Sequence, residues 1–320
     1  MRWGAVLLAA LVCVAYGGCG GGDSGSAPAR PVDLALDFTP NPVHAPIYAA
    51  VRTGADRQRG IRLRIRQPGE GPNALKLVAG GRALVGLLDI HDLAIARQDG
   101  VDVVGVAALV QKPLAALLAQ PDVRRPRDLA GRTVGVSGLP SDPAFLRAIV
   151  EHDGGDYSRI DQVTIGFKAV SALLSRRVDA VPAFWNAEGV ALEQRGRKVR
   201  QFRVEDYGAP AYPEVVVIAS RDALRKRRAD VEAVVDALAA GVEAVLADRG
   251  AAVRDIVRAA SADPVLTRAQ LDAVAPLFRP AMRLDRATLD AWAAFDARIG
   301  IVDGPIDVAR AFDVSLTARR

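Results

Sequence analysis

Strand-like and helix-like patterns alternate along this chain from residue 32 to about residue 220, and that alternation restricts it to sheets flanked by helices. Val32-Asp33-Leu34-Ala35-Leu36-Asp37-Phe38 alternates as a strand, and Asn41-Pro42 then opens a helix running through Tyr48 and Val51 to Gly54. Ile61-Arg62-Leu63-Arg64-Ile65-Arg66 has period two with one polar face. Asn73 is placed to cap a helix carrying Leu75, Leu77 and Val78. Residues 84–88, 101–106 and 114–118 read as buried strands.

A second unit opens near Asp128-Leu129-Ala130-Gly131, with a strand over Thr133-Val134-Gly135-Val136-Ser137. Asp142-Pro143 suits the N-cap and first position of a helix carrying Phe145 and Ile149, and Val163-Thr164-Ile165 is a further strand. Residues 77–85 echo residues 173–181: each reads as a helix end, a short turn and a strand, as two lobes of similar plan would produce. From Ser220 onward the pattern is helical, with Val231, Val234, Val235, Leu238, Val242 and Val245 on one stripe. Thr267 and Gln270 fit a capping box, and Leu289, Trp292, Phe295 and Ile299 mark the core face of a last long helix stopped by Gly300.

The N-terminus sets the compartment. Met1-Arg2 precedes an uncharged, nearly all-apolar stretch ending at Tyr16, too short to span a bilayer and the right length for a signal-peptide core. Tyr16-Gly17-Gly18-Cys19 resembles a bacterial lipoprotein cleavage box, and Gly20-Gly21-Gly22-Asp23-Ser24-Gly25-Ser26 follows as a flexible tether. The expectation is a signal peptide over 1–18, lipidation at Cys19 and a tether over 19–31. The protein would be exported and either anchored to the outer face of the cell membrane or periplasmic. Both cysteines, Cys13 and Cys19, fall in this leader. The remainder therefore holds no disulfide, thiolate metal site or cysteine nucleophile.

The formal charge of +5 is interspersed along the chain, and the densest run, Arg225-Lys226-Arg227-Arg228, has no flanking aromatics for base stacking. It reads as an exposed helix entry, and no nucleic-acid partner is expected. The three histidines, His44, His91 and His152, lack metal-ligand spacing. Nucleophile-elbow, phosphate-loop and dinucleotide motifs are absent, so neither a catalytic residue, a cofactor nor a metal is expected.

Ligands of open α/β sheets sit at strand C-terminal ends. The segment Asp37 to Tyr48 occupies such an end; its three prolines stiffen it, Asn41 and His44 offer polar atoms, and Phe38 offers a flat face. Asn41 could equally serve only as a cap. Asp89 follows the strand over 84–88 and joins the candidate ligand residues. Ser137-Gly138-Leu139-Pro140-Ser141 places hydroxyls and N–H groups at a helix start, suited to a polar or anionic group. Ala183-Phe184-Trp185-Asn186-Ala187-Glu188-Gly189 suits a flat, nitrogen-rich ligand, with Trp185 or Phe184 stacking, Asn186 beside them and Glu188 accepting from amino groups. Glu188 could instead only favour a helix start. Tyr207 and Tyr212 flank Gly208-Ala209-Pro210, a rigid turn that forms either a cleft wall or a turn alone.

Leu36-Asp37-Phe38-Thr39-Pro40-Asn41-Pro42-Val43-His44-Ala45-Pro46-Ile47-Tyr48-Ala49-Ala50 resembles the opening of the thiamine-pyrimidine family. That family comprises ABC-transporter binding proteins for formylaminopyrimidine and hydroxymethylpyrimidine, and fungal pyrimidine synthases. Residues 128–135, Trp185-Asn186-Ala187-Glu188-Gly189 and Tyr207-Gly208-Ala209-Pro210-Ala211-Tyr212 resemble later family motifs. The resemblance implies an α/β, two-lobed type II periplasmic-binding-protein fold with a hinge between two mixed-sheet domains. Lobe one would comprise 32–122 and 215–320, and lobe two 123–214. It implies that Asn41 and Glu188 hydrogen-bond an aminopyrimidine between flanking aromatics. It also implies an ABC permease and ATPase as partners, with a monomer held to the membrane only by its lipid. Phe38 stands where relatives commonly have Trp, Pro46 where many have Gly, and Arg176-Arg177 replaces a Gly-containing turn. Alternatives are a synthase-like enzyme using His44, or a binder of riboflavin, sulfonate or nitrate.

Overall fold

The computed structural model describes residues 28–68, 73–139 and 141–318. The expected signal peptide, the expected lipidation at Cys19 and the expected tether up to residue 27 fall outside the described residues, as does Pro140.

Two five-stranded mixed sheets organise the chain. The first holds β1 (Arg30–Ala35), β2 (Ile61–Arg66), β3 (Val85–Asp89), β4 (Val103–Val110) and, from late in the sequence, β10 (Val215–Ser220), in the order β2-β1-β3-β10-β4. The second holds β5 (Ala115–Ala119), β6 (Thr133–Val136), β7 (Asp161–Thr164), β8 (Ala180–Phe184) and β9 (Arg200–Arg203), in the order β7-β6-β8-β5-β9. The plans match. Three strands run parallel in each sheet, and the fourth in line arrives from the other lobe and pairs antiparallel on both sides. That exchange makes two chain crossings between the sheets, the elements a hinge requires.

Helices α1 (Ala45–Thr53), α2 (Ala74–Ala79) and α3 (Ile90–Gln98) serve the first sheet; α4 (Asp142–His152), α5 (Ala169–Leu174) and α6 (Val190–Gln194) serve the second. The sequence echo has a structural basis: α2 leads into β3 and α5 into β8, the third strands of their sheets. Buried Val32, Leu34, Val215 and Val217 share a core with Val231, Val234, Val235 and Leu238 of the helix Arg228–Ala247. Each such side chain contributes about 1.5–3 kcal/mol on burial. That helix lies close to α1, because a Cβ on Gly241 would stand 1.9 Å from the carbonyl oxygen of Pro46. Trp292, Leu289 and Phe295 of the helix Arg286–Arg298 are core residues, as their spacing predicts.

Three expectations need correction. β1 begins at Arg30, so a tether extending to 31 is too long. The lobe border at 123 falls too late: β5 already pairs with β8 and β9, because the chain crosses immediately after β4. Thr267 caps nothing. The helix Pro264–Val274 starts at Asp263, whose side chain accepts from Leu266 N–H, and Thr267 Oγ1 donates to the Asp263 carbonyl from inside the helix. No helix among the described residues is long and apolar enough to cross a membrane.

Candidate functional site

A cavity of about 360 Å³ opens between the sheets, at the lower end of ligand-pocket sizes. Its walls come from the C-terminal ends of parallel strands: Phe38 beyond β1, Asp89 at the end of β3, Ser137 beyond β6, Phe167 beyond β7, and Phe184 with Glu188 at the end of β8. Glu214, just before β10, completes the floor. Ligands of open α/β sheets bind in the crevice beyond such strand ends.

The turn after β1 is braced from within. Asn41 Oδ1 accepts from Val43 N–H at 2.9 Å, and Asn41 Nδ2 donates to the Thr39 carbonyl. Asn41 N–H donates to His44 Nδ1 at 3.1 Å, which places the imidazole proton on Nε2, and Nε2 donates to Asp37 Oδ1 at 2.9 Å. Both nitrogens of the buried His44 ring are thus committed to the turn. Asn41 is a cap and a wall residue together, with one N–H and one lone pair to spare.

The second lobe spends its polar groups similarly. Asp142 Oδ2 accepts from Ser137 N–H at 2.7 Å, Ser137 Oγ at 2.8 Å and Gly138 N–H at 3.0 Å. The donors that the sequence offers to an anion are therefore consumed by a buried carboxylate, and Ser137 lines the cavity without being a free donor. A single π-helical turn, Trp185–Gly189, follows β8. Glu188 Oε2 accepts from Phe184 N–H at 3.1 Å, and burial pushes its carboxyl above the usual range. It also accepts from its own backbone N–H, and the residue lines the cavity. Phe38 meets Phe167 edge to face across the mouth, with ring centroids 4.3 Å apart.

Four candidates stand elsewhere. Trp185 is outside the lining; its Nε1 donates to the Pro113 carbonyl and Arg203 stacks on its ring at 4.0 Å, so it cements the first crossing. Asn186 is 1% exposed beneath the turn. Tyr207 packs against His152 and Phe202. Tyr212 is 0% exposed, between His91 and Phe295, with burial holding its hydroxyl well above the usual value. Sequence reading missed Phe167, Asp92, His91 and Glu214. Phe167 carried a signal, since it follows a strand end as Phe38 does.

The first-lobe floor is acidic. Asp89 caps α3 by accepting from His91 N–H at 2.8 Å, and burial, reinforced by Glu214 and Asp92, raises its pKa well above the usual range. Glu214 Oε2 accepts from Leu114 and Ala115 N–H, yet burial pushes that carboxyl up to about 7. Burial works against the His91 cation, but Asp296, Asp89 and Asp92 outweigh it and lift the imidazole to about 9. Burial raises Asp92 to about 6. No Lys or Arg pairs with any of these among the described residues.

A family model described as NMT1/THI5 like matches residues 41–252. The formylaminopyrimidine-binding protein of Halalkalibacterium halodurans is 34% identical over 192 residues, covering 59% of this chain and 58% of that protein. A putative thiamine biosynthesis protein of Haemophilus influenzae is 26% identical, covering 62% of this chain and 64% of that one. The matches thus span about three fifths of these relatives. The alkanesulfonate-binding protein of Xanthomonas axonopodis pv. citri, solved with MOPS, superposes with a TM-score of 0.70 at 17% identity, covering 90% of this chain and 99% of that chain. The fold is that of two-lobed periplasmic binding proteins.

Proposed function

The chain belongs to the NMT1/THI5-like family, and from that premise we propose that it is the exported solute-binding component of an ABC importer, carrying an aminopyrimidine precursor of thiamine between its lobes. The observation that carries this reading is the cavity at paired strand ends, with Phe38 and Asn41 on one wall facing Phe184 and Glu188 on the other. A flat heteroaromatic ring fits between phenyl faces. Its amino group donates to Glu188, and a ring nitrogen accepts the spare N–H of Asn41. Cys19, lipidated, would tether the protein to the membrane beside a permease and its ATPase.

Two observations weigh against the alternatives. His44 has both ring nitrogens engaged by Asn41 and Asp37, which leaves it no free atom for a synthase-like step. Sulfonate and nitrate are anions, and against Lys76 the cleft presents Asp89, Asp92, Asp142, Glu188 and Glu214, with the Ser137 donors already taken. The resemblance to the alkanesulfonate-binding protein is one of fold.

The test is a thermal-shift panel on leaderless protein with aminopyrimidines, thiamine, riboflavin, nucleobases and alkyl sulfonates. A ligand that binds only the folded state raises the midpoint by mass action. A dose-dependent shift with a formylaminopyrimidine or hydroxymethylpyrimidine is expected. A shift with flavin or sulfonate and none with pyrimidines would overturn the ligand assignment while keeping the fold.

A further inference from the structure

Asp89, His91 and Glu214 come from three chain segments, the end of β3, the first turn of α3 and the entry to β10, and they meet on the first-lobe floor. One carboxylate oxygen of each acid and a ring nitrogen of His91 all lie within 4.8 Å of one another. The ring nitrogens are distinguishable. His91 Nδ1 is 2.7 Å from Asp296 Oδ1, and a carboxylate oxygen accepts, so the proton is on Nδ1 and is donated to Asp296. Trp292 Nε1–H also points at this nitrogen from 3.4 Å, but a protonated Nδ1 has no lone pair to accept it. His91 Nε2 is buried and has no partner, although the residue is only 3% exposed. Glu214 shows a similar division: Oε2 holds the backbone of the first crossing, while the carboxyl also meets that of Asp89, close enough to share a proton, and buried Oε1 has no N–H or hydroxyl donor on a residue that is 0% exposed. Unsatisfied buried polar atoms are costly, so two such atoms converging on a third acceptor call for an explanation.

We propose that Asp89, His91 and Glu214 form a binding site for a first-row divalent cation of the zinc class in the floor of the cleft, with Asp296 orienting His91 from behind. The donor set fits: one imidazole nitrogen and two carboxylate oxygens suit zinc and its neighbours, and no thiolate is needed. A modest side-chain rotation brings the three atoms to about 2.0–2.2 Å from one ion. Ligation needs the imidazole neutral at Nε2 and both carboxyls ionised, so a cation would displace protons from the site as it binds. An ammonium group would be satisfied by the carboxylates alone, whereas a histidine whose far N–H is fixed by a buried carboxylate is the arrangement metal-ligating histidines use. Three protein ligands also leave coordination positions open toward the cavity, where a nitrogen or oxygen of the cargo can complete the shell. The inference needs the cavity but not the identity of the organic ligand.

The test uses chelator-stripped leaderless protein, titrated with Zn2+ by calorimetry and with Co2+ by visible absorption, both without any pyrimidine. One Zn2+ per chain and cobalt d–d bands that saturate at the same stoichiometry are expected. Asp89→Asn, at the cavity surface, should weaken Zn2+ at least tenfold with the unliganded melting midpoint kept. Asp296→Asn should weaken it about 10–100-fold, the usual effect of losing a histidine's outer partner. Absence of zinc heat and cobalt bands overturns the site, and so does binding that Asp89→Asn and His91→Gln leave unchanged. Pyrimidine binding without metal binding would sink this inference alone; metal binding without pyrimidine binding would sink the proposed cargo alone.

Discussion

Asp142 in the second lobe and Glu214 in the first are both buried carboxylates at the edge of the same cleft, and they are used differently. One oxygen of Asp142 gathers three donors from the turn after β6. Glu214 gives one oxygen to the Leu114 and Ala115 backbone, and beyond that it meets only the Asp89 carboxyl, with no N–H or hydroxyl donor on its other oxygen. Glu188 lies between these cases, capping Phe184 with one oxygen while still facing the cavity. The turn after β6 thus completes itself, whereas the first-lobe floor holds hydrogen-bonding capacity in reserve.

The largest test of this contrast is Asp142→Ala. It strips three donors of their acceptor in a buried turn and should cost about 2–4 kcal/mol of stability in urea denaturation. A loss below about 1 kcal/mol would mean that the second wall is as unsettled as the first.

The aromatic residues should divide in the same way. Trp185→Ala removes a side chain that packs under Arg203 and against the Pro113 carbonyl. It should cost about 2–3 kcal/mol of stability, below the usual 3–5 for a fully buried Trp because the ring is partly exposed. Pyrimidine affinity should stay within about twofold. A large affinity loss at unchanged stability would return Trp185 to the cavity wall.

Glu188→Gln should weaken an aminopyrimidine by about 1.5–3 kcal/mol, measured by calorimetry, with little change in the unliganded midpoint. The pH dependence sharpens this. Burial raises the Glu188 carboxyl, so its charge is lost at a higher pH than an exposed glutamate would lose it. Pyrimidine affinity should fall as pH drops through that raised value. The unliganded fold should behave oppositely: the stability of burying a neutral carboxyl is present below the unfolded pKa and is lost as pH rises toward the folded one. Glu188→Gln should abolish both trends.

Much of this architecture is legible in the sequence because it is local. The strand-end rule alone finds Phe38, Asn41 and Glu188, and the helix–turn–strand echo anticipates α2 to β3 and α5 to β8. What escapes is nonlocal. His91 and Asp296 are 205 residues apart, and Glu214 reaches back 100 residues to Leu114, so no spacing rule can see the acidic floor or its one histidine. Tyr212 carries the composition of a cleft wall, but its place behind His91 depends on the helix Arg286–Arg298, which arrives far later in the chain. Thr267 misled for a different reason: Asp263-Pro264 is the stronger start signal and lies one turn upstream.

The smallest expected effect is the most discriminating, because it places one substitution in both lobes. Asp89→Asn keeps an oxygen to accept from His91 N–H, and Asn caps helices about as well as Asp, so unliganded stability should change by no more than about 0.5 kcal/mol. Asp142→Asn offers the same isosteric exchange, but a neutral amide oxygen must then replace a carboxylate oxygen that serves three donors. A loss of about 1–2 kcal/mol is expected there. Matched urea curves of the two variants decide the contrast: equal losses would mean that Asp89 carries as much of the fold as Asp142 does, and a loss confined to Asp142 would mean that the first-lobe acid is held for something other than stability.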